Sequence, residues 1–329
     1  MIKLNDIELK HGLFLAPMAG YTDRAMRLLA KLHGAECTVT EMVSAKAVVF
    51  GDKKTFGLAR IRADEGNVAL QIFGSEPDIM AEGARILYSE AEAHGGVKPI
   101  AIDINMGCPV NKIFSNGEGS ALMKNPELIY KIVRSVSEAM DIPVTVKIRA
   151  GVDSTNINAV ECAEAAESGG AKLIAVHGRT RAQLYGGIAD REIIKRVKAN
   201  VRVPVIANGD ITDGESALAM LRETGADGIM VGRAAVGNPF IFDEITTALT
   251  SGEYTPPTLE EKVNSALHEL RLAVEDKGEA FAIPEARKKI ALYFKGFRGS
   301  ALMRAGINSA TSYNEAERII LALLKEETE

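Results

Sequence analysis

The sequence predicts an α/β protein, a (β/α)8 TIM barrel followed by a C-terminal all-helical domain, and three observations carry that prediction. Short apolar runs alternate with helical patterns eight times; polar and glycine positions gather where the runs end; and beyond residue 243 only helical periodicity remains. An open doubly wound sheet competes for any such alternation, but it rarely needs eight consecutive units without a break.

The runs that read as strands cover 12–18, 36–40, 67–72, 100–105, 144–148, 173–176, 205–207 and 228–231. Helical patterns between them cover 23–33, 77–93, 126–140, 158–168, 191–199 and 214–224, with Asp23, Pro77 and Pro126 suited to helix starts. An internal echo supports stacked βα pairs. Pro143-Val-Thr-Val-Lys-Ile-Arg149, a helix and the run 170–179 resemble Pro204-Val-Ile-Ala-Asn-Gly-Asp210, a helix and the run 225–233. These features assign residues 1–243 to the barrel and 244–257, with its breaker-rich stretch 251–258, to a linker. Residues 258–329 form the helical domain, with helices over 259–275, 284–297 and 313–326.

Composition bounds the function. Of 329 residues 47% are hydrophobic and 25% charged, as in a globular protein. No apolar run reaches membrane-spanning length and the N-terminus lacks a signal-peptide profile, so a cytoplasmic protein with no membrane partner is expected. Cys37, Cys108 and Cys162 stand at unrelated spacings that make neither a disulfide framework nor a zinc site, and no metal is expected. Cys37 and Cys162 read as core. The net charge of −5 argues against holding nucleic acid by bulk electrostatics but leaves room for a local basic surface. One such run lies between 284 and 305, where Arg287, Lys288, Lys289, Lys295, Arg298 and Arg304 face the single acid Glu285, with Tyr293, Phe294 and Phe297 as aromatic companions. It reads either as a solvated helix face or as a surface that tracks phosphates.

The chemistry concentrates on Ile100-Ala-Ile-Asp-Ile-Asn105-Met-Gly-Cys108-Pro109-Val-Asn111-Lys112. A buried parallel strand ends at Asn105, and a thiol follows on the turn, between a Gly and a Pro that removes an amide donor. In a barrel the carboxyl ends of strands build the active site. Those ends supply Met18, Glu41, Gln71, Asn105 with Cys108, Lys147 with Arg149, His177, Asn208 with Asp210, and Gly232 with Arg233. Any one of them could be a satisfied core residue. Together they are hard to read as core, because an unpaired buried polar group costs about 1–3 kcal/mol. Gly209 and Gly232, after the seventh and eighth strands, fall where barrels hold a phosphate. The ligand suggested is a flat, hydrogen-bonding, phosphorylated cofactor, FMN, whose reduced ring a Lys or Gln can stabilise. A dinucleotide fingerprint is absent, since Gly117-Glu-Gly119 has Leu122 where a third Gly belongs.

The motifs Ala16-Pro17-Met18-Ala-Gly-Tyr-Thr-Asp23, Gln71-Ile-Phe-Gly74, Asn105-Met-Gly-Cys108-Pro109, Val146-Lys147-Ile-Arg149, Val176-His177-Gly-Arg179-Thr180, Asn208-Gly209-Asp210 and Gly232-Arg233 together resemble the tRNA-dihydrouridine synthases over nearly the whole chain. Val110-Asn111-Lys112-Ile113 is most similar to the bacterial B-type branch. The resemblance implies an FMN-dependent reductase, fed by NADPH or NADH, that adds two hydrogens across C5–C6 of selected uridines in tRNA. It implies FMN contacts from Ala16, Pro17, Met18, Gln71, Lys147, His177, Asn208, Gly209, Asp210, Gly232 and Arg233, with Cys108 as proton donor. Asn105, Lys112, Arg149 and Arg179, on neighbouring loops, and Lys288, Lys289 and Lys295, on the tail, are expected substrate contacts. A monomer with no protein partner is expected. Two alternatives stay open: a small-molecule pyrimidine flavin oxidoreductase of the dihydroorotate dehydrogenase kind, and a non-catalytic RNA-binding barrel.

Overall fold

The computed structural model describes residues 1–326, so the last three residues of the expected helical domain lie outside the described residues. All eight expected runs are strands of one closed parallel sheet: β1 (Leu13–Leu15), β2 (Cys37–Val39), β3 (Val68–Phe73), β4 (Ala101–Met106), β5 (Val144–Arg149), β6 (Leu173–His177), β7 (Val205–Asn208) and β8 (Gly228–Val231). β8 pairs with β1 and β2 with β3, which closes the barrel. The Val/Ile/Leu-rich strands are buried on both faces, as a parallel sheet wrapped by helices requires.

Inside the barrel the amino-terminal half is apolar. Phe14, Ala16, Cys37, Val39, Ala69, Ala101, Leu173, Ala175, Ile206 and Met230 form one buried cluster, which Ile2, Leu4 and Leu9 cap from below. Those three belong to an antiparallel hairpin, Ile2–Leu4 with Ile7–Leu9, that the sequence reading did not foresee; its turn is the Asn5-Asp6 pair, with Asn5 at φ 52°. Gly12 leads from the hairpin into β1 at φ 62°, and a Cβ there would lie 2.6 Å from Ile2 Cδ1. Only glycine permits that crossing.

Among the described residues four helices form the tail: Leu259–Lys277, Glu279–Tyr293, Ser300–Ser309 and Tyr313–Glu326. The third was not expected, and the second starts at Glu279 rather than Pro284, so the proline sits inside a helix and leaves the Ala280 carbonyl without its usual donor. Residues expected to be linker carry the end of a helix, Ile241–Leu249, whose Ile241, Phe242 and Ile245 pack into the barrel's outer core. The tail has a core of its own around Val263, Leu270, Ile290, Phe294 and Ile320. It sits on the barrel's first helix, Arg24–Leu32, through Ala25 and Leu28 against Leu272, Ala273 and Ala282. Tyr293 and Phe294, expected as aromatic partners of RNA, are 2% and 0% exposed and belong to that core.

Lys289 also departs from expectation. It is 4% exposed, pairs with Asp23 Oδ2 at 2.9 Å and Glu269 Oε1 at 3.7 Å, and donates to the Tyr21 carbonyl at 2.9 Å. It therefore cannot offer its charge to a phosphate. Ala282, Ala286, Lys289 and Tyr293 share the buried face of one helix, and the strength of the paired carboxylates is what lets a lysine occupy it.

Candidate active site

Strand register decides which polar side chains meet. Gln71 lies opposite Asp103, Asp103 opposite Thr145, Asn105 opposite Lys147, and His177 opposite both Arg149 and Asn208. Residues two apart on a strand share a face, so this set forms a polar layer above the apolar interior, at the carboxyl end of the barrel.

Cys108 follows β4 on the turn and is half-buried. Its N–H donates to Asn105 Oδ1 at 2.9 Å, and its carbonyl accepts from Ser120 Oγ at 2.7 Å. Burial lifts the thiol above its ordinary value, against the opposing pull of the Val110 N–H, Arg149 and Lys147. The thiol therefore carries its proton at neutral pH. Cys37 and Cys162 are fully buried, as expected, and burial pushes each to about 12.

Positive charge crowds this rim in excess of the acid beside it: Asp210 meets Arg179 at 2.8 Å and Arg233 at 3.8 Å. The Lys147 ammonium has no hydrogen bond or ion pair among the described residues; burial and then Arg149 bring it down to about 8. His177 is driven down to about 2 by burial and by Lys147, Arg149, Arg179 and Arg233, so it is a neutral imidazole. Arg179 is 2% exposed and its Nη1 is buried with no partner. The Arg233 side chain is 58% exposed.

Two of the arginines expected at the substrate are instead spent largely on the loops. Arg149 donates to the carbonyls of Gly107 (2.9 Å), Thr180 (2.8 Å) and Leu184 (2.9 Å), tying the loops after β4 and β6 to β5. Leu184 stands at φ 52°, a strained setting for a branched residue that this bond helps hold. Arg179 donates to Gly186 O (2.9 Å), Gly187 O (2.6 Å) and Asp210 Oδ2 (2.9 Å). Tyr185, which no motif singled out, is an exposed ring with Arg233 at 5.0 Å and Arg149 at 5.8 Å from its centre.

The ends of β7 and β8 form a glycine-lined corner. Asn208 Nδ2 donates to Met230 O at 2.7 Å, bridging the two strands. Gly209 stands at φ 123°, where a Cβ would lie 2.6 Å from Ala189 Cβ. Asp210 accepts from Ala189 N at 2.8 Å, and, against the cost of burial, that bond with Arg179 and Arg233 holds its carboxyl below the usual range. At Gly232 a Cβ would find only Ala16 Cβ at 3.8 Å and Met18 Sδ at 3.9 Å, which places Ala16, Met18 and Gly232 together, with Pro17 between the first two.

The structure thus gathers Ala16, Pro17, Met18, Gln71, Asn105, Cys108, Lys147, His177, Asn208, Gly209, Asp210, Gly232 and Arg233 at one end of the barrel. Gln71 is 1% exposed, and both ends of its amide bond protein: Nε2 donates to Asp103 Oδ2 at 2.7 Å and Oε1 accepts from Asn105 Nδ2 at 2.8 Å. Glu41 accepts from Gly20 N at 2.7 Å and so braces the loop after β1. Lys112 is exposed on the short helix Asn111–Ser115 beside the Cys108 turn. Lys288 lies 4.3 Å over the Tyr21 ring, at the seam between tail and rim, and Lys295 is exposed on the tail. Asp103 and Thr145 were missed, although Asp103 stands two residues before Asn105 and so on the same face of β4.

A closed parallel barrel whose carboxyl rim carries an excess of positive charge beside a protonated thiol has the architecture of a (β/α)8-barrel enzyme. Residues 14–328 match the family described as Dihydrouridine synthase (Dus), and the chain belongs to that family. It is 40% identical over 310 residues to the "Probable tRNA-dihydrouridine synthase" of Rickettsia conorii, covering 94% of this chain and 92% of that one. It is also 40% identical over 310 residues to the "tRNA-dihydrouridine synthase B" of Pseudomonas putida, covering 94% and 90%. Among solved structures, one described as a crystal structure of TcOYE with pHBA superposes with a TM-score of 0.54 at 13% identity, over 79% of this chain and 94% of that one. At that identity the likeness speaks for the barrel fold. No helix of the described residues is long and apolar enough to cross a membrane.

Proposed function

We propose that this protein reduces uridines in tRNA to 5,6-dihydrouridine in the cytoplasm, using FMN at the barrel rim and NADPH or NADH as the source of electrons. The observation that supports this reading is the excess of positive charge at the rim: Lys147 without an acceptor, Arg179 with an orphaned Nη1 beside its pair with Asp210, and a His177 kept neutral among four cations.

That donor set fits FMN, which brings a phosphate and a ring whose carbonyl edge turns negative on reduction. Asn208, Gly209, Asp210, Gly232 and Arg233 would hold the phosphate, Ala16, Pro17 and Met18 the face of the ring, and Lys147 and His177 its polar edge. Gln71, with its amide committed inside the protein, would shape the floor. When bound, the reduced group supplies a hydride to C6 of the uracil. Cys108 then gives its proton to C5, where negative charge has gathered next to a carbonyl; its raised thiol pKa keeps that proton available at neutral pH. Arg149 and Arg179 hold the loops around this space, and Asn105 holds the turn that carries the thiol.

A target uridine has to leave its stack to reach the rim. The names of the relatives supply tRNA as the substrate class, and the exposed Lys288, Lys295, Arg298 and Arg304 of the tail offer cations to its backbone, with Lys112 beside the thiol turn. The test is direct. Purified protein incubated with NADPH and tRNA lacking dihydrouridine should form it at defined positions. Turnover of free uracil or dihydroorotate with none on tRNA would contradict the reading, and so would tRNA binding by protein that carries no flavin.

A further inference from the structure

A thiol on a turn protonates a carbon reliably only if the turn is held. At this rim the hold runs through side chains from three strands, β3, β4 and β5. Asp103 is 4% exposed; its carboxylate accepts from Thr145 Oγ1 at 2.6 Å and from Gln71 Nε2 at 2.7 Å. Gln71 Oε1 accepts from Asn105 Nδ2 at 2.8 Å. Asn105 Oδ1 accepts the N–H of Cys108 at 2.9 Å and that of Gly107 at 3.2 Å.

The two ends of this chain dictate its direction. Burial raises the Asp103 carboxyl, with the Thr145 and Gln71 hydrogen bonds and Lys147 pulling it back. As a carboxylate it only accepts, backbone amides only donate, and the two side-chain amides between them then have one orientation that satisfies every group. Gln71 must turn its nitrogen to Asp103, and Asn105 must turn its oxygen to the turn. If the acceptor at 103 is removed, Gln71 is free to reverse. Asn105 then loses the partner that keeps its oxygen on the Cys108 and Gly107 amides.

We propose that Asp103 is a positioning residue for Cys108, acting through Gln71 and Asn105 to fix the turn that carries the thiol. Its meaning for catalysis rests on the reading of Cys108 as the acid; the hydrogen-bond chain does not. A competing role for Asp103 is to balance the charge of Lys147, which it opposes electrostatically. Substitutions separate the two. Asp103→Leu removes both the acceptor and the charge. Asp103→Asn removes only the charge, since its oxygen can still accept from Gln71 while its nitrogen donates to Thr145 Oγ1. Gln71→Met leaves the charge and cuts the chain one link nearer the thiol.

The experiment is the rate of alkylation by N-ethylmaleimide, which reports Cys108 because Cys37 and Cys162 are buried. Asp103→Leu and Gln71→Met should label faster by roughly threefold or more, the equivalent of one hydrogen bond, and Asp103→Asn should stay near the wild-type rate. In Asp103→Leu dihydrouridine formation should fall as well, and Asp103→Asn should restore most of it. Wild-type labelling in both Asp103→Leu and Gln71→Met would overturn the proposal. Labelling of Asp103→Asn as fast as Asp103→Leu would also overturn it, in favour of charge balance. Should Asp103→Leu fail to fold, Gln71→Met and Asp103→Asn still decide. Alkylation needs neither flavin nor RNA, so a failure of this proposal is distinct from a failure of the functional reading.

Discussion

Two groups of buried cations, at the rim and at the seam between tail and barrel, obey opposite rules. At the seam the buried charges Lys289, Asp23 and Glu269 are paired with one another. Lys289 pairs with Asp23 and Glu269, Lys277 with Asp23 at 2.8 Å and Glu285 at 2.6 Å, and Tyr293 donates to Glu269 at 2.7 Å. Asp23 falls to about 2 despite burial because Lys289 and Lys277 flank it, and Lys277 rises for the complementary reason. At the rim, Lys147 and His177 are pushed down, since burial and neighbouring cations act together and outweigh the opposing pull of Asp103 on Lys147. A fold keeps a paired cluster for cohesion. It keeps an unpaired one at a cost in stability, which a ligand of opposite charge would offset.

Substitutions can break that contrast, and the largest effect belongs to the thiol the rim surrounds. Cys108→Ala should lower dihydrouridine formation by roughly 10²–10⁴-fold, the range of a lost general acid, with flavin retained and NADPH oxidation unimpaired. Full product yield in a quantitative nucleoside assay would remove Cys108 from its role.

Next comes the paired seam. Lys289→Met leaves Glu269 buried without its cation and should lower unfolding free energy by about 3 kcal/mol, with flavin content unchanged. Acid should expose the same pairing. Asp23 is held at about 2 in the folded chain against an ordinary 3.8, so its contribution is complete above 3.8 and fades as pH falls toward 2. Urea titrations across that window should show the wild type losing stability and Lys289→Met losing less.

The unpaired rim should respond with the opposite sign. Lys147→Met should stabilise the flavin-free protein by on the order of 1 kcal/mol at neutral pH, because it removes a desolvated charge. An unfolded lysine keeps its proton up to 10.5 and the folded one releases it near 8, so between those values the unfolded state binds more protons and stability rises with pH. The variant should lack that rise, and a destabilised Lys147→Met would place Lys147 with the seam. The smallest effect is at the surface: Lys295→Glu should weaken tRNA binding and reduce its salt dependence by about one released counterion, with stability unmoved.

Much of this contrast was legible in sequence. The alternation of apolar runs and helices gave the barrel, and the polar residues closing those runs gave the rim, because strand period and barrel closure leave little freedom there. Asp103 escaped because a single acid inside an apolar run has no motif of its own; only pairing with Gln71 and Thr145 across strands reveals its part. Lys289 was misplaced because a count of charges along a helix does not say which face each occupies. Its partners Asp23 and Glu269 come from elements 266 and 20 residues away, beyond the reach of local pattern. Arg149 and Arg179 were found, but their commitment to loop carbonyls depends on loop paths that sequence periodicity does not encode.

The central claim is that the rim's unpaired cations exist to hold a flavin, and the visible absorption spectrum of the purified protein tests it most directly. Wild type should carry the oxidised-flavin band at close to one group per chain, and Lys147→Met should be folded and colourless. A colourless wild type that gains no band when FMN is added, or a Lys147→Met protein as yellow as its parent, would contradict the account.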